Sequence, residues 1–127
     1  MSKKIIFTEK APAPIGPYNQ AVLANNTLYI SGQVAFVPGT DKLILDSIEE
    51  ETEQVMQNLK AVLEAADMTF ENVVKSTIFI MNMGDFARIN AVYGKYFDES
   101  TAPARETVQV ATLPKNVNIE ISMIAIK

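Results

Sequence analysis

The run Val73-Val74-Lys75-Ser76-Thr77-Ile78-Phe79-Ile80-Met81-Asn82 is β-branched and apolar on both faces. Val74, Ile78 and Ile80 fall at even positions, and Val73, Phe79 and Met81 at odd ones. Side chains alternate across a strand, so this strand needs cover on each side of its sheet. The chain offers only two helices to provide it. In the clearer one, Ile48, Thr52, Val55, Leu59, Val62, Leu63 and Ala66 recur at three- to four-residue spacing. Ser47 and Glu50 read as a capping box that starts it. Glu49-Glu50-Glu51 read as a solvated first turn, where the helix dipole favours negative charge. The second helix is predicted over 85–98, with Phe86, Asn90, Tyr93 and Phe97 on one stripe.

The remaining segments read as strands and turns. A short strand at 4–8 precedes Ala11-Pro12-Ala13-Pro14-Ile15-Gly16-Pro17-Tyr18-Asn19-Gln20, which its prolines make stiff and non-helical. Strands at 20–24 and 27–34 flank Asn25-Asn26, residues that tolerate the left-handed backbone of a tight turn. Residues 36–46, with Pro38-Gly39, read as a loop. Strands at 105–111 and 117–126 close the order β-β-β-α-β-α-β-β, with apolar positions in the last strand switching parity at Met123-Ile124. The expected fold is α+β, a two-layer domain over 1–127 with both helices on one face of the sheet. Apolar strand surface left on the other face implies a homo-oligomer, with sites that subunits can share.

Composition narrows the chemistry. The 127 residues include no Cys, His or Trp. That excludes disulfides, His- or Cys-ligated zinc, catalytic triads and an imidazole base. Carboxylates, Arg, Lys, Tyr, hydroxyls, amides, backbone dipoles or an oxygen-ligated metal remain. A formal net charge of −4, with no basic run beyond Lys3-Lys4, gives little electrostatic reason to expect nucleic acid as a partner. Residues 1–9 lack a signal-like apolar stretch, and no run approaches the ~18 residues of a membrane span. A cytoplasmic location, away from any membrane, is the expectation.

Several residues are candidates for a site. Glu120 lies in Val117-Asn118-Ile119-Glu120-Ile121-Ser122, on a face that begins polar and continues into Ile124 and Ile126. It reads either as a solvent-facing strand residue or as a carboxylate with a raised pKa that could deprotonate water. Arg105 opens a strand just after Ala102-Pro103-Ala104, with Thr107 and Gln109 on its face. It is either a surface ion-pair partner or a planar clamp for a carboxylate. Asn90 reads as an internal hydrogen-bond fixer or a pocket donor, and Tyr18 as a packed ring or a pocket wall. Gly32 in Ser31-Gly32-Gln33 marks a bulge or a place of close approach to the backbone.

Taken together, Ala13-Pro14-Ile15-Gly16-Pro17-Tyr18, Ser31-Gly32-Gln33, the helix around Asn58-Leu59-Lys60-Ala61, Val74-Lys75-Ser76-Thr77, Pro103-Ala104-Arg105, Leu113-Pro114-Lys115 and Ile119-Glu120-Ile121 resemble the RidA-type reactive intermediate deaminases of the Rid (YjgF) family from end to end. The resemblance implies a chorismate-mutase-like fold with about six strands in a mixed sheet, assembled as a homotrimer with active sites between subunits. It implies hydrolysis of 2-iminobutanoate and 2-iminopropanoate, the enamine/imine products of pyridoxal-phosphate-dependent dehydratases, to 2-keto acids and ammonia, with no cofactor or metal. By the same resemblance Arg105 would clamp the substrate carboxylate and Glu120 would hold the water. Tyr18, Ser31, Gly32 and Asn90 would shape the pocket, and the backbone carbonyl of Thr107 would accept from the imine nitrogen. Thr107 stands where many members have Cys, Ala102 where Phe is common, Ala35 where Pro is common and Asp67 where Gly is usual. The alternatives are a keto-acid-binding regulatory protein without turnover and, against the acidic charge, an endoribonuclease.

Overall fold

The two-faced strand sits inside the sheet. In the computed structural model, which describes residues 2–127 and leaves Met1 outside, six strands stand in the order β1-β2-β3-β6-β4-β5. They are β1 (Lys3–Ile6), β2 (Ala21–Ala24), β3 (Thr27–Gln33), β4 (Val73–Ile80), β5 (Ala104–Gln109) and β6 (Ile119–Ile126). All neighbours are antiparallel except β4 and β5. That parallel pair requires a crossover, which the second helix supplies. The order of elements is the one predicted, and the fold is the two-layer α+β architecture.

Helix α1 (Ile48–Ala65) starts where Ser47 Oγ accepts the Glu50 N–H, so the Ser47 half of the capping box forms. Its apolar stripe of Val55, Met56, Leu59, Val62 and Leu63 is fully buried against Leu28, Ile78, Ile119 and Ile121 of the sheet. Each such side chain contributes roughly 1.5–3 kcal/mol of burial free energy. The reading of a solvated first turn fails at Glu51, which is 0% exposed. Its oxygens take the backbone N–H of Asn118 at 2.7 Å and of Ile119 at 3.2 Å, and the Asn118 side-chain amide at 2.8 Å. These donors come from the far end of the chain.

Helix α2 (Phe86–Tyr93) is shorter than the predicted 85–98. Gly94–Tyr96 tightens into a 3-10 turn and Phe97 leaves in an extended conformation. The predicted stripe survives the break, because the Phe97 ring still meets Tyr93 with centroids 4.8 Å apart. Arg88 of α2 forks onto Glu49 of α1 at 2.7 and 2.9 Å, joining the helices at the surface.

Ser76, Ile78 and Ile80 of β4 point under the helices. A bulge between Val73 and Lys75 turns Val73 inward and leaves Val74 exposed. Alternation runs unbroken through β6, so the apolar residues that change parity at Ile124 come to lie on the outer face, as expected. Ile119, Ile121, Met123 and Ala125 all face the helices, while Glu120, Ser122, Ile124 and Ile126 face away. That outer face, with Tyr29, Val108 and Ile5 also exposed on it, has no covering element among the described residues.

Candidate active site

Glu120 and Arg105 leave the sheet through opposite faces. Across β4, Glu120 pairs with Phe79, whereas Arg105 pairs with Ser76 and Thr107 with Ile78. Paired residues share a face, so Arg105 and Thr107 lie on the helix side and Glu120 on the bare side. The candidates therefore sort into two half-sites.

The first half-site is a cleft of about 140 Å³ at the end of β3 and β6, lined by Glu120, Gly32, Tyr18, Phe36 and Lys115. The β3–β6 register slips between Ile30 and Gln33, placing a bulge at Ser31-Gly32. Glu120 lies directly over Gly32. A Cβ on Gly32 would stand 2.7 Å from the Glu120 carboxyl carbon, so only glycine leaves the carboxyl its place. Glu120 is half-buried, and burial raises its pKa above the ordinary carboxylate value. Such a group can take a proton near neutral pH more readily than a free surface carboxylate.

The cleft wall is held by residues that periodicity does not single out. Gln20, buried, accepts the Thr8 N–H at 2.8 Å and donates to the carbonyls of Thr8, Ala11 and Pro12 at 2.9, 3.2 and 2.9 Å. It thereby pins the proline-rich segment. The Ser31 hydroxyl is spent on the Asn19 carbonyl at 2.6 Å, which fixes the approach to Tyr18. Tyr18 itself is 48% exposed, and its oxygen accepts the Ile15 N–H at 3.4 Å. Asn58 of α1 donates to the carbonyls of Val34 and Phe36 at 3.1 and 2.9 Å, fixing the opposite wall. Lys115 and Asn116, at the rim, both take positive φ, 58° and 54°. The sequence signal for Gln20 and Asn58 would have been a long amide beside segments that lack backbone partners.

The second half-site lies beside α2. The Arg105 guanidinium rests 4.9 Å from the Tyr93 ring centroid and 5.6 Å from that of Phe86. Asn90 occupies the same helical stripe between those two rings. Tyr93 is tied down by its hydroxyl to Ser76 Oγ at 2.9 Å. The two ring faces place the guanidinium, whose N–H groups can meet an anion. Among the described residues Arg105 pairs with no carboxylate, so the surface ion-pair alternative does not hold in this chain. The buried Thr107 hydroxyl has no hydrogen-bond partner. Among the described residues, no three carboxylates cluster as a metal site.

A sequence model of the family described as Endoribonuclease L-PSP matches residues 8–127. A RutC family protein from Synechocystis is 52% identical over 127 residues, 99% of this chain and 98% of that one. The chain belongs to the Rid (YjgF) family. Among its relatives is a 2-iminobutanoate/2-iminopropanoate deaminase from Bos taurus, 46% identical over 98% of this chain and 90% of that one. The crystal structure of RidA from an Antarctic Psychrobacter superposes with a TM-score of 0.93 at 43% identity, covering 98% of this chain and 99% of that one. Rid relatives thus carry both deaminase and endoribonuclease descriptions. No helix among the described residues is long and apolar enough to cross a membrane.

Proposed function

We propose that this Rid protein is an imine deaminase acting on short 2-imino acids, in particular 2-iminobutanoate and 2-iminopropanoate, at sites formed between copies of the chain in a homotrimer. The observation that carries this reading is the division of the candidates. Arg105, Asn90 and Thr107 lie on one face of the sheet, Glu120, Gly32 and Tyr18 on the other, with a bare apolar surface around the second group. One chain cannot bring both groups to one substrate, and a copy docked on the bare face can.

The chemistry asks little of the protein. The iminium carbon of a 2-imino acid is already electrophilic, so no cofactor or metal is required. Arg105, set over the rings of Tyr93 and Phe86, takes the substrate carboxylate through two N–H groups. Asn90 and the Thr107 backbone carbonyl orient the imine nitrogen. Glu120 of the neighbouring copy holds a water against the carbon and accepts its proton as the C–O bond forms. The carbinolamine then collapses: Glu120 returns its proton to the nitrogen, then takes the hydroxyl proton as the C=O bond forms, the C–N bond breaks and ammonia leaves; that last proton passes to solvent. A positioned base of this kind is worth typically ~10²–10⁴ in rate. Net charge −4 and the lack of a basic run beyond Lys3-Lys4 weigh against RNA as the substrate.

Subunit complementation tests both halves of the proposal. The imine is generated in situ by a serine/threonine dehydratase and its loss followed by semicarbazide trapping. Arg105→Ala and Glu120→Gln, each inactive alone, are unfolded together and refolded as a mixture. About one site in four then pairs an intact Arg105 from one chain with an intact Glu120 from another, and activity returns to that fraction of wild type. A mixture as inactive as its components refutes the shared site, and a wild type no faster than buffer refutes the deaminase reading. Light scattering should give three times the 14.0 kDa chain mass.

A further inference from the structure

Glu51 is the one acidic side chain of the α1 first turn that no solvent reaches, and the mechanism above makes no use of it. Its three partners are all N–H donors, an environment built for the ionised carboxylate. No Lys or Arg pairs with it among the described residues. The three bonds converge on one place, the entry of β6, where the chain emerges from the left-handed pair Lys115-Asn116. There β3 has already ended, at Gln33 opposite Ile121, and β6 is paired only to β4, through Ile119–Ile80, Glu120–Phe79 and the Met81 N–H to the Asn118 carbonyl at 3.1 Å. The bulge sets Gly32 against the Glu120 carboxyl, and the end of β3 leaves the Glu120 backbone without a neighbour strand on that edge.

We infer that Glu51 is a positioning residue for Glu120: from the helix side of the sheet it grips Asn118 and Ile119, and so sets where the next residue places its carboxyl over Gly32. The inference rests on the proposed role of Glu120 in holding water. Past the end of β3 the Glu120 peptide is paired on one edge alone, to β4, and Glu51 supplies the second tether from beneath. Tyr18 and Lys115 are the other titratable side chains lining the cleft that Glu120 faces, and neither bonds the Asn118–Ile119 backbone.

The test compares Glu51→Ala, Glu51→Asp and Glu51→Gln with Thr52→Val. The last removes a buried hydrogen bond, Thr52 Oγ1 to the Ile48 carbonyl at 2.7 Å, from the same helical turn without touching β6. Two readouts are taken: kcat and KM for imine hydrolysis, and the titration midpoint of the Glu120 carboxyl by carbon-13 NMR. In Glu51→Ala, kcat falls by about 10- to 100-fold with KM within about twofold, the penalty for an ångström-scale misplacement. The Glu120 midpoint drops toward the ordinary carboxylate value as the group slips out of its half-buried place. Glu51→Asp, one methylene short, shows the same pattern and serves if Glu51→Ala does not fold. Glu51→Gln keeps an acceptor oxygen for the two backbone N–H groups while the Asn118 amide turns to meet its NH2, so kcat stays within about threefold of wild type. Thr52→Val changes neither readout. A folded Glu51→Ala or Glu51→Asp with wild-type kcat and midpoint overturns the inference, as does Glu51→Gln impaired as deeply as Glu51→Ala. Should the wild type hydrolyse no imine, the deaminase reading fails by itself and the NMR midpoint alone decides: a shift in Glu51→Ala or Glu51→Asp sustains the positioning role, and none refutes it.

Discussion

Gly32→Ala should separate activity from stability. The added Cβ would stand 2.7 Å from the Glu120 carboxyl carbon, 2.8 Å from Oε2 and 2.9 Å from Cγ. Carbon atoms in contact prefer roughly 3.5–4.0 Å, so the carboxyl must retreat by about 1 Å. The group that retreats is the free end of a flexible side chain, and the Gly32 backbone is not in the left-handed region. The fold therefore accommodates the methyl cheaply. Alanine also reduces the freedom of the unfolded chain, which favours the native state by about 0.4–1 kcal/mol. Catalysis has no such slack, since a misplacement of this size costs up to ~10²-fold, equivalent to about 2.7 kcal/mol of barrier. Thermal unfolding should thus show a melting temperature at or slightly above wild type, while the dehydratase-coupled semicarbazide assay shows kcat down by one to two orders of magnitude. A Gly32→Ala protein with kcat within twofold of wild type would refute the placement of Glu120 in the working site.

Further predictions follow from the same geometry. Because burial raises the Glu120 pKa, and the base must be ionised, the acid limb of kcat/KM should lie above the ordinary carboxylate value of about 4.3; a limb at or below it would exclude Glu120 as the base. A carboxyl with a raised folded pKa contributes stability below its unfolded pKa that is lost as pH rises through the folded one, so Glu120→Gln should melt above wild type at neutral pH and lose that margin in acid. Arg105→Ala should lower kcat/KM by about 10²- to 10⁴-fold, the worth of two charge-assisted hydrogen bonds of ~1.5–3 kcal/mol each, while Arg105→Lys, which has no planar fork for a carboxylate, recovers little. Asp67 follows α1 at φ 58°; Asp67→Gly should stabilise by about 0.5–1 kcal/mol in denaturant unfolding without changing activity.

What the sequence disclosed was what is local. The α1 stripe, the Asn25 turn and the succession of helices and strands along the chain all follow from spacings within one segment. The α2 boundary was overrun because Phe97 continues the spacing of Phe86, Asn90 and Tyr93 through a turn that is no longer α-helical. Glu51 was misread for a related reason: three acidic residues at a helix start satisfy the dipole rule, and the N–H groups that bury one of them lie 67 residues or more away. The faces of Arg105 and Glu120 could each be assigned within their own strand. Their opposition could not, because it depends on how both strands register against β4.

Every bond that Gln20 makes goes to the main chain, at Thr8, Ala11 and Pro12. Its amide has two hydrogens for three carbonyls, so one is shared, and none of them senses which side chain the residue bears. The wall of the Glu120 cleft hangs from a hook that is blind to its decoration. The inner surface at Ala13, Ile15 and Tyr18 can be resurfaced by mutation, altering which molecule fits, while the path of the chain around the cleft stays the same. Shape and selectivity are thereby written in separate places, one in a single amide and the other in a short stretch free to drift.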